Sequence, residues 1–206
     1  MLTPSPALLQ ALSGKELLIF DFDGTIADTS SLHAQAFADV LSPLGISVCY
    51  QIIAGMRTAE ALLSCFRNSG LELPSSSELQ LLVAQKQQRV QQLINLSLEP
   101  LPRVSAFLNW TQPLYSMALV TSGSRATVTL ALNKLGYGSL FPIRVFAEDV
   151  KAGKPDPEGF LIALDLHKCA PLNALVFEDS EAGFQAAAAA NLDFINVKEH
   201  NIDLFY

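Results

Sequence analysis

The chain predicts an α/β protein: a parallel sheet flanked by helices on both faces, with an all-helical domain inserted into it. Three observations carry that expectation. Short, unbroken apolar runs recur along the chain, amphipathic helical patterns alternate with them from residue 124 onward, and a long stretch of purely helical pattern separates the first run from the second.

Leu17-Leu18-Ile19-Phe20 is apolar without interruption, as a strand buried on both faces must be, and it stops abruptly at Asp21-Phe22-Asp23-Gly24-Thr25. Runs of the same kind stand at residues 117–120, 144–147 and 174–177, with a weaker one at 194–197. Residues 124–135 have helical pattern and close on Gly136, suited to a left-handed C-terminal cap. Residues 156–166 place Phe160, Leu161 and Leu164 on one face, and the alanine-rich stretch 181–190 can lie close against a sheet. Roughly a hundred residues separate the first two strands, far too many for one crossover. They contain a stripe of Leu32, Ala36, Phe37, Val40 and Leu41, and a second of Ala59, Leu62, Leu63 and Phe66. Ser75 and Glu78 then have capping-box spacing at the head of a third helix that runs through Leu82, Val90 and Ile94. Glu99-Pro100-Leu101-Pro102 breaks that pattern. The expected division is a core of residues 1–30 and 103–206 and a helical domain of residues 31–102, joined by hinges near residues 29–31 and 99–103.

The 206 residues suffice for one core and a small accessory domain. A formal charge of −7 argues against nucleic acid as a partner, because nothing would neutralise a phosphate backbone. Any phosphate chemistry must then draw positive charge locally, from a metal or a placed lysine. Cys49, Cys65 and Cys169 lack paired spacing and read as thiols of a reducing compartment. Residues 1–14 have no basic residue ahead of their apolar stretch, unlike a secretory signal, and no apolar run approaches the ~20 residues that span a bilayer. A cytoplasmic monomer with no membrane partner is expected.

Chemistry concentrates at the expected strand ends, where parallel sheets bind ligands. Asp21 and Asp23 stand there two residues apart, with Gly24 letting the chain turn. Carboxylates so close repel, and a divalent cation is the natural remedy; the plain alternative is a solvated Asp-Gly turn. Phe177-Glu178-Asp179-Ser180 brings two more carboxylates to another strand end, although Asp179 or Ser180 could simply cap the following helix. Thr121-Ser122-Gly123-Ser124 offers hydroxyls and helix N–H groups to an anion, or an ordinary N-cap. Lys154, ahead of Pro155, can offset phosphate charge if it does not face water.

In this order and spacing the residues resemble the haloacid-dehalogenase-like superfamily of phosphohydrolases, in the branch with a helical cap and closest to β-phosphoglucomutase-like and fructose-1-phosphate-phosphatase-like members. The match runs from about residue 16 to residue 198. The resemblance implies a Rossmann-like core, a small phosphorylated metabolite as substrate and Mg2+ as cofactor. It gives Asp21 the role of nucleophile, Asp23 of general acid/base, Thr121 of phosphate-holding hydroxyl with Ser122 beside it, and Lys154 of bridge between nucleophile and phosphate. The metal would take Asp21, the main-chain carbonyl of Asp23, Asp179 and Glu178, the last as ligand or support. Gly123 departs from the serine or asparagine that many relatives have nearby.

Phosphoryl transfer by an aspartate suits these groups. On the cap, His33 follows the first hinge, where relatives often have a histidine, and is either a hydrogen-bonder to Asp23 or a satisfied helix-surface histidine, while Gly55-Met56-Arg57-Thr58 matches the loop by which related caps enter the site. Arg57 is the leading candidate to read the substrate, against the plain reading of a solvated arginine in a first helical turn. Lys86 is a weaker candidate, since lysines on long polar helices usually face water. A phosphomutase using the same chemistry, or a catalytically silent phosphate-binding protein, remain as alternatives to a phosphatase.

Overall fold

The computed structural model describes residues 4–198, so the outermost ends of the expected core, 1–3 and 199–206, lie outside the described residues. Five parallel strands, β1 (Leu17–Phe20), β2 (Ser116–Val120), β3 (Ile143–Val145), β4 (Ala174–Glu178) and β5 (Asp193–Asn196), form one sheet in the order β3-β2-β1-β4-β5. β1 is central, and Phe20 at its end pairs with Leu119 of β2 on one side and Phe177 of β4 on the other. The residues that follow these strand ends therefore converge by main-chain register alone.

The unbroken apolar runs are explained by burial on two faces. Leu18 and Phe20 belong to one core with Phe107, Phe141 and Phe177, where the rings of Phe20 and Phe177 stack at 4.8 Å. Leu17 and Ile19 point into a second core with Phe160, Ala163 and Ala186, supplied by α8 (Glu158–His167) and α9 (Glu181–Ala189). The first core is covered by α1 (Pro6–Leu12), α6 (Pro102–Thr111) and α7 (Arg125–Leu135). Neither α1 nor α6 was read from the sequence. Pro102 looked like a breaker but occupies the first turn of α6, where its missing N–H costs nothing. Pro6 stands likewise behind Ser5, whose Oγ accepts the Leu8 N–H at 3.2 Å.

Between β1 and β2 lie α2 (Ser30–Leu41), α3 (Tyr50–Ile53), α4 (Thr58–Asn68) and α5 (Ser76–Ser97). They enclose a third core built on Phe37, Leu41, Ile53, Leu62 and Phe66. The Ser75–Glu78 capping box forms as expected. α5 serves both bodies: Leu82 packs in the cap core, and Val90, Leu93 and Ile94 pack in the first core.

Some expected boundaries shift for local reasons. β3 ends at Val145 because the Phe146 N–H turns to the Asp149 carboxylate at 2.9 Å, starting a tight turn instead of extending to residue 147. α8 begins at Glu158, not 156: Asp156 stays outside and accepts the Glu158 N–H at 2.9 Å. β5 lies one residue earlier than expected and ends at Asn196. No helix among the described residues is long and apolar enough to cross a membrane.

Candidate active site

Asp21 continues β1 by donating its N–H to the Phe177 carbonyl at 3.0 Å. From the loop between β3 and α8, Lys154 bridges Asp21 Oδ1 and Glu178 Oε1, each at 2.6 Å, and also donates to the Val120 carbonyl at 3.1 Å. Burial opposes the lysine's charge, but the carboxylates of Asp21 and Glu178 more than offset it and hold its pKa above the usual range. Burial pushes the Asp21 pKa well up, and its acidic neighbours Glu178, Asp179 and Asp23 add to that push against the pull of Lys154.

Those facts test the fit of a metal. Oxygens of Asp21, Glu178 and Asp179 lie within 4.8 Å of one another. A hard divalent cation prefers such oxygen donors and would relieve the charge crowding that disfavours ionised Asp21. Gly24 leaves the space: a Cβ there would strike the Asp179 carboxylate, and its φ of +85° already favours glycine. Mg2+ therefore fits the donor set. Glu178 is wholly buried, and its Oε2 accepts from the Asp179 and Ser180 N–H groups at 2.6 and 2.8 Å and from Ser180 Oγ at 3.0 Å. With Lys154 on Oε1 as well, Glu178 suits holding the loop in place better than direct ligation. Asp179 Oδ2 pairs with Lys198 at 2.6 Å. Ser180, not Asp179, caps α9, its Oγ accepting the Gly183 N–H at 3.1 Å.

Asp23 is held differently. Its Oδ1 accepts the Thr29 hydroxyl and lies 3.4 Å from His33 Nε2, and its Oδ2 faces the Gly123 position. His33 Nδ1 meets Lys86 Nζ at 2.9 Å, and that ammonium also lies 4.5 Å from the Phe37 ring centre. Burial takes His33 down to about 4 and Lys86 down to about 8, so the imidazole is neutral at pH 7. Thr121 Oγ1 accepts the Gly123 N–H at 3.0 Å, and a Cβ on Gly123 would strike Val128 at 2.6 Å. The absence of a larger residue at 123 is thus a matter of space.

The cap closes this ground. Gly55, with φ of +79°, brings its backbone against the core; a Cβ there would lie 3.2 Å from Ser180 Oγ. Gly55, Thr58 and Tyr50 of the cap and Asp21, Asp23, Thr121, Ser122 and Lys154 of the core line one cavity of about 50 Å³. That space has room for a few waters.

A profile described as haloacid dehalogenase-like hydrolase matches residues 18–197. The chain belongs to that family. Haloacid dehalogenase-like relatives include the fructose-1-phosphate phosphatase YqaB of Escherichia coli, 32% identical over 88% of this chain and 95% of that protein. The phosphorylated carbohydrates phosphatase of Thermotoga maritima is 30% identical over 91% of this chain and 87% of its own. A crystal structure of β-phosphoglucomutase from Clostridium difficile superposes with a TM-score of 0.83 at 25% identity, covering 91% of this chain and 86% of that one. The named relatives put this hydrolase among the phosphoric monoester hydrolases.

Nearly all residues read from the sequence meet at this cavity, including His33, Gly55 and Thr58 from the cap. Arg57 does not line it: its guanidinium reaches away to the core carbonyls of Ala147, Val150 and Lys151, which is neither the expected substrate contact nor the solvated alternative. Lys86 corrects a second expectation, being 2% exposed rather than turned to water. A signal was present: Leu82, Lys86 and Val90 stand at four-residue intervals on the buried stripe of α5. Thr29, Tyr50 and Gln87 were missed; Thr29 is a buried hydroxyl on the expected hinge, with no mark to set it apart.

Proposed function

We propose that this chain is a Mg2+-dependent phosphatase of small sugar monophosphates, working through an aspartyl phosphate on Asp21. The observation that carries the reading is the strand-end constellation in which Lys154 joins Asp21 to Glu178 at 2.6 Å while Asp23, two residues on, is held separately by Thr29 and His33. One carboxylate is arranged to meet phosphorus and the other to handle protons.

Asp21 attacks phosphorus as the bond to the ester oxygen breaks, and Asp23 gives its proton to the departing alkoxide. Asp23 then takes a proton from the water that attacks the aspartyl phosphate, which frees phosphate and restores Asp21. Lys154 balances the charge of nucleophile and phosphoryl oxygens, and Thr121 with Ser122 holds those oxygens. A cation held by Asp179, Asp21 and the Asp23 carbonyl would supply the remaining positive charge. The closed cap excludes bulk water and presents the Tyr50 phenol, the Thr58 hydroxyl and the Gln87 amide to the alcohol part of the substrate. Burial and then the nearby Asp23, Asp179 and Asp21 charges raise the Tyr50 pKa, so the phenol keeps its proton and donates.

Likeness to a β-phosphoglucomutase favours a mutase as second reading. A mutase must hold a bisphosphate and so needs cations for a second phosphate at the cap end. Among the described residues that line the cavity, the lysines are Lys154, bound to Asp21 and Glu178, and Lys86, bound to His33. That count supports the phosphatase. A panel of sugar monophosphates assayed for inorganic phosphate release, with Mg2+ and with EDTA, tests the reading. Turnover that requires added hexose bisphosphate and yields an isomer instead of phosphate would decide for the mutase.

A further inference from the structure

We propose that Arg57 is the latch of the cap, a positioning residue that ties closure to the placement of Lys154 and reads no part of the substrate. This rests on the catalytic role given above to Lys154. Arg57 stands at the head of α4, on the loop that enters the site, and its side chain crosses to the core. Nη2 donates to the carbonyls of Ala147 and Val150 at 2.9 and 2.6 Å, and Nη1 to that of Lys151 at 3.1 Å. The three acceptors belong to the stretch between β3 and α8 that ends in Lys154.

That stretch is fixed from the opposite side by α8, where Glu158 Oε2 accepts the N–H groups of Lys151 and Ala152 at 2.8 and 3.0 Å. With the cap open its carbonyls lose their cationic partner, and the loop keeps the α8 anchor at Lys151 and Ala152 and the ties of Ala147 and Glu148 to the loop after β2. With the cap closed the loop is pinned from both sides. Arg57 and Lys154 then border a single crevice of about 10 Å³ behind Thr121 and Ser122. Closing the cap and fixing the catalytic ammonium become one event.

The fit is specific to this side chain. A Cβ at Gly153 would come within 2.9 Å of Arg57 Nε and 3.3 Å of its Cγ and Cδ, so glycine there makes room for the arginine stem. The guanidinium holds its donors in a rigid planar fork that spans these carbonyls, whereas a lysine ammonium is a compact point charge whose donors would not reach the same positions from residue 57. The grip is also incomplete, because Arg57 Nε is buried with no acceptor. An unpaired buried donor weakens the closed form, which suits a contact that must release at every turnover.

The test uses the full-length chain and its Arg57→Ala, Arg57→Lys and Gly153→Ala variants, with p-nitrophenyl phosphate and fructose 1-phosphate as probes. For Arg57→Ala the latch predicts a loss of roughly tenfold in kcat on both esters with little change in KM, and no recovery in Arg57→Lys. Small-angle X-ray scattering of the ligand-free proteins should give a larger radius of gyration for Arg57→Ala than for the unaltered chain. Gly153→Ala reaches the same contact from the core side and should reproduce the expansion, which keeps the test alive if Arg57→Ala fails to fold. A loss confined to fructose 1-phosphate and seen in KM would make Arg57 a substrate reader and overturn the latch. Unchanged scattering in both folded variants, or a lower melting temperature with unchanged kcat, would overturn it too. The scattering arm is independent of turnover: an inactive parent chain that still expands on Arg57→Ala would refute the proposed function and leave the latch standing.

Discussion

The core and the cap contribute to the same cavity by different physics. Core groups are placed by hydrogen-bonded strand register: Asp21 and Thr121 follow β1 and β2 and Glu178 ends β4, neighbouring strands aligned from Leu17 opposite Ala174 to Phe20 opposite Phe177. Cap groups come from a helical body with its own small apolar core, which meets the main core through Val90, Leu93 and Ile94 of α5 and through Arg57 on three carbonyls, while Lys86 and His33 pair within the cap. The sheet alone therefore sets Asp21, Thr121 and Glu178, and Lys154 is the core group whose loop the cap touches through Arg57. The cap wall includes Tyr50, Gly55, Thr58 and Gln87. Core substitutions should accordingly damage every phosphate ester, and cap substitutions should discriminate between esters unless they act through the core.

The largest effect expected is that of Asp21→Asn, which keeps shape and removes the nucleophile: kcat/KM should fall by roughly 10³–10⁵-fold on any ester while the fold survives. Circular dichroism and phosphate release check both halves. Removing divalent cations with EDTA should reduce turnover comparably and be reversed by Mg2+; isothermal titration of Mg2+ into Gly24→Ala, whose Cβ would crowd Asp179, should give weakened or no binding.

Asp23→Asn sharpens the division within the core. General acid catalysis is worth about 10²–10⁴-fold, so a sugar phosphate should suffer by that order while p-nitrophenyl phosphate, whose leaving group needs no proton, suffers less in the first step. Equal losses across a leaving-group series would remove the acid role. Lys86→Gln tests a cap residue that acts through the core. It releases His33 and hence Asp23, so a loss of roughly tenfold should again be greater for the poorer leaving group. Tyr50→Phe deletes only a hydroxyl at the cap wall and should change KM for a sugar phosphate by roughly three- to tenfold, with p-nitrophenyl phosphate unaffected.

The same contrast explains what could be read from sequence. Buried parallel strands announce themselves as unbroken apolar runs, and Asp21-x-Asp23 and Glu178-Asp179 sit directly at their ends, so motif and position reinforce each other. The cap helices α2, α4 and α5 were legible from their stripes and from the Ser75 capping box, whereas the short α3 carried no such stripe and was not read. Their inward contacts were not. Lys86 stands on a buried stripe, but composition favours reading a lysine as solvated. The partners of Arg57 are main-chain carbonyls some 90 residues distant, and a carbonyl has no sequence signature. Pro102 misled because proline both ends and begins helices, and only the following Val104, Phe107 and Leu108 tell which.

The account depends on covalent chemistry at Asp21. The most direct measurement is rapid acid quenching of the enzyme in turnover, followed by borohydride reduction and mass spectrometry of the peptides. Reduction of an aspartyl phosphate leaves homoserine in place of aspartate. The account predicts homoserine at position 21 in the working enzyme and none in Asp21→Asn. Homoserine at position 23, or an unmodified Asp21 in an enzyme quenched at full turnover, would contradict it.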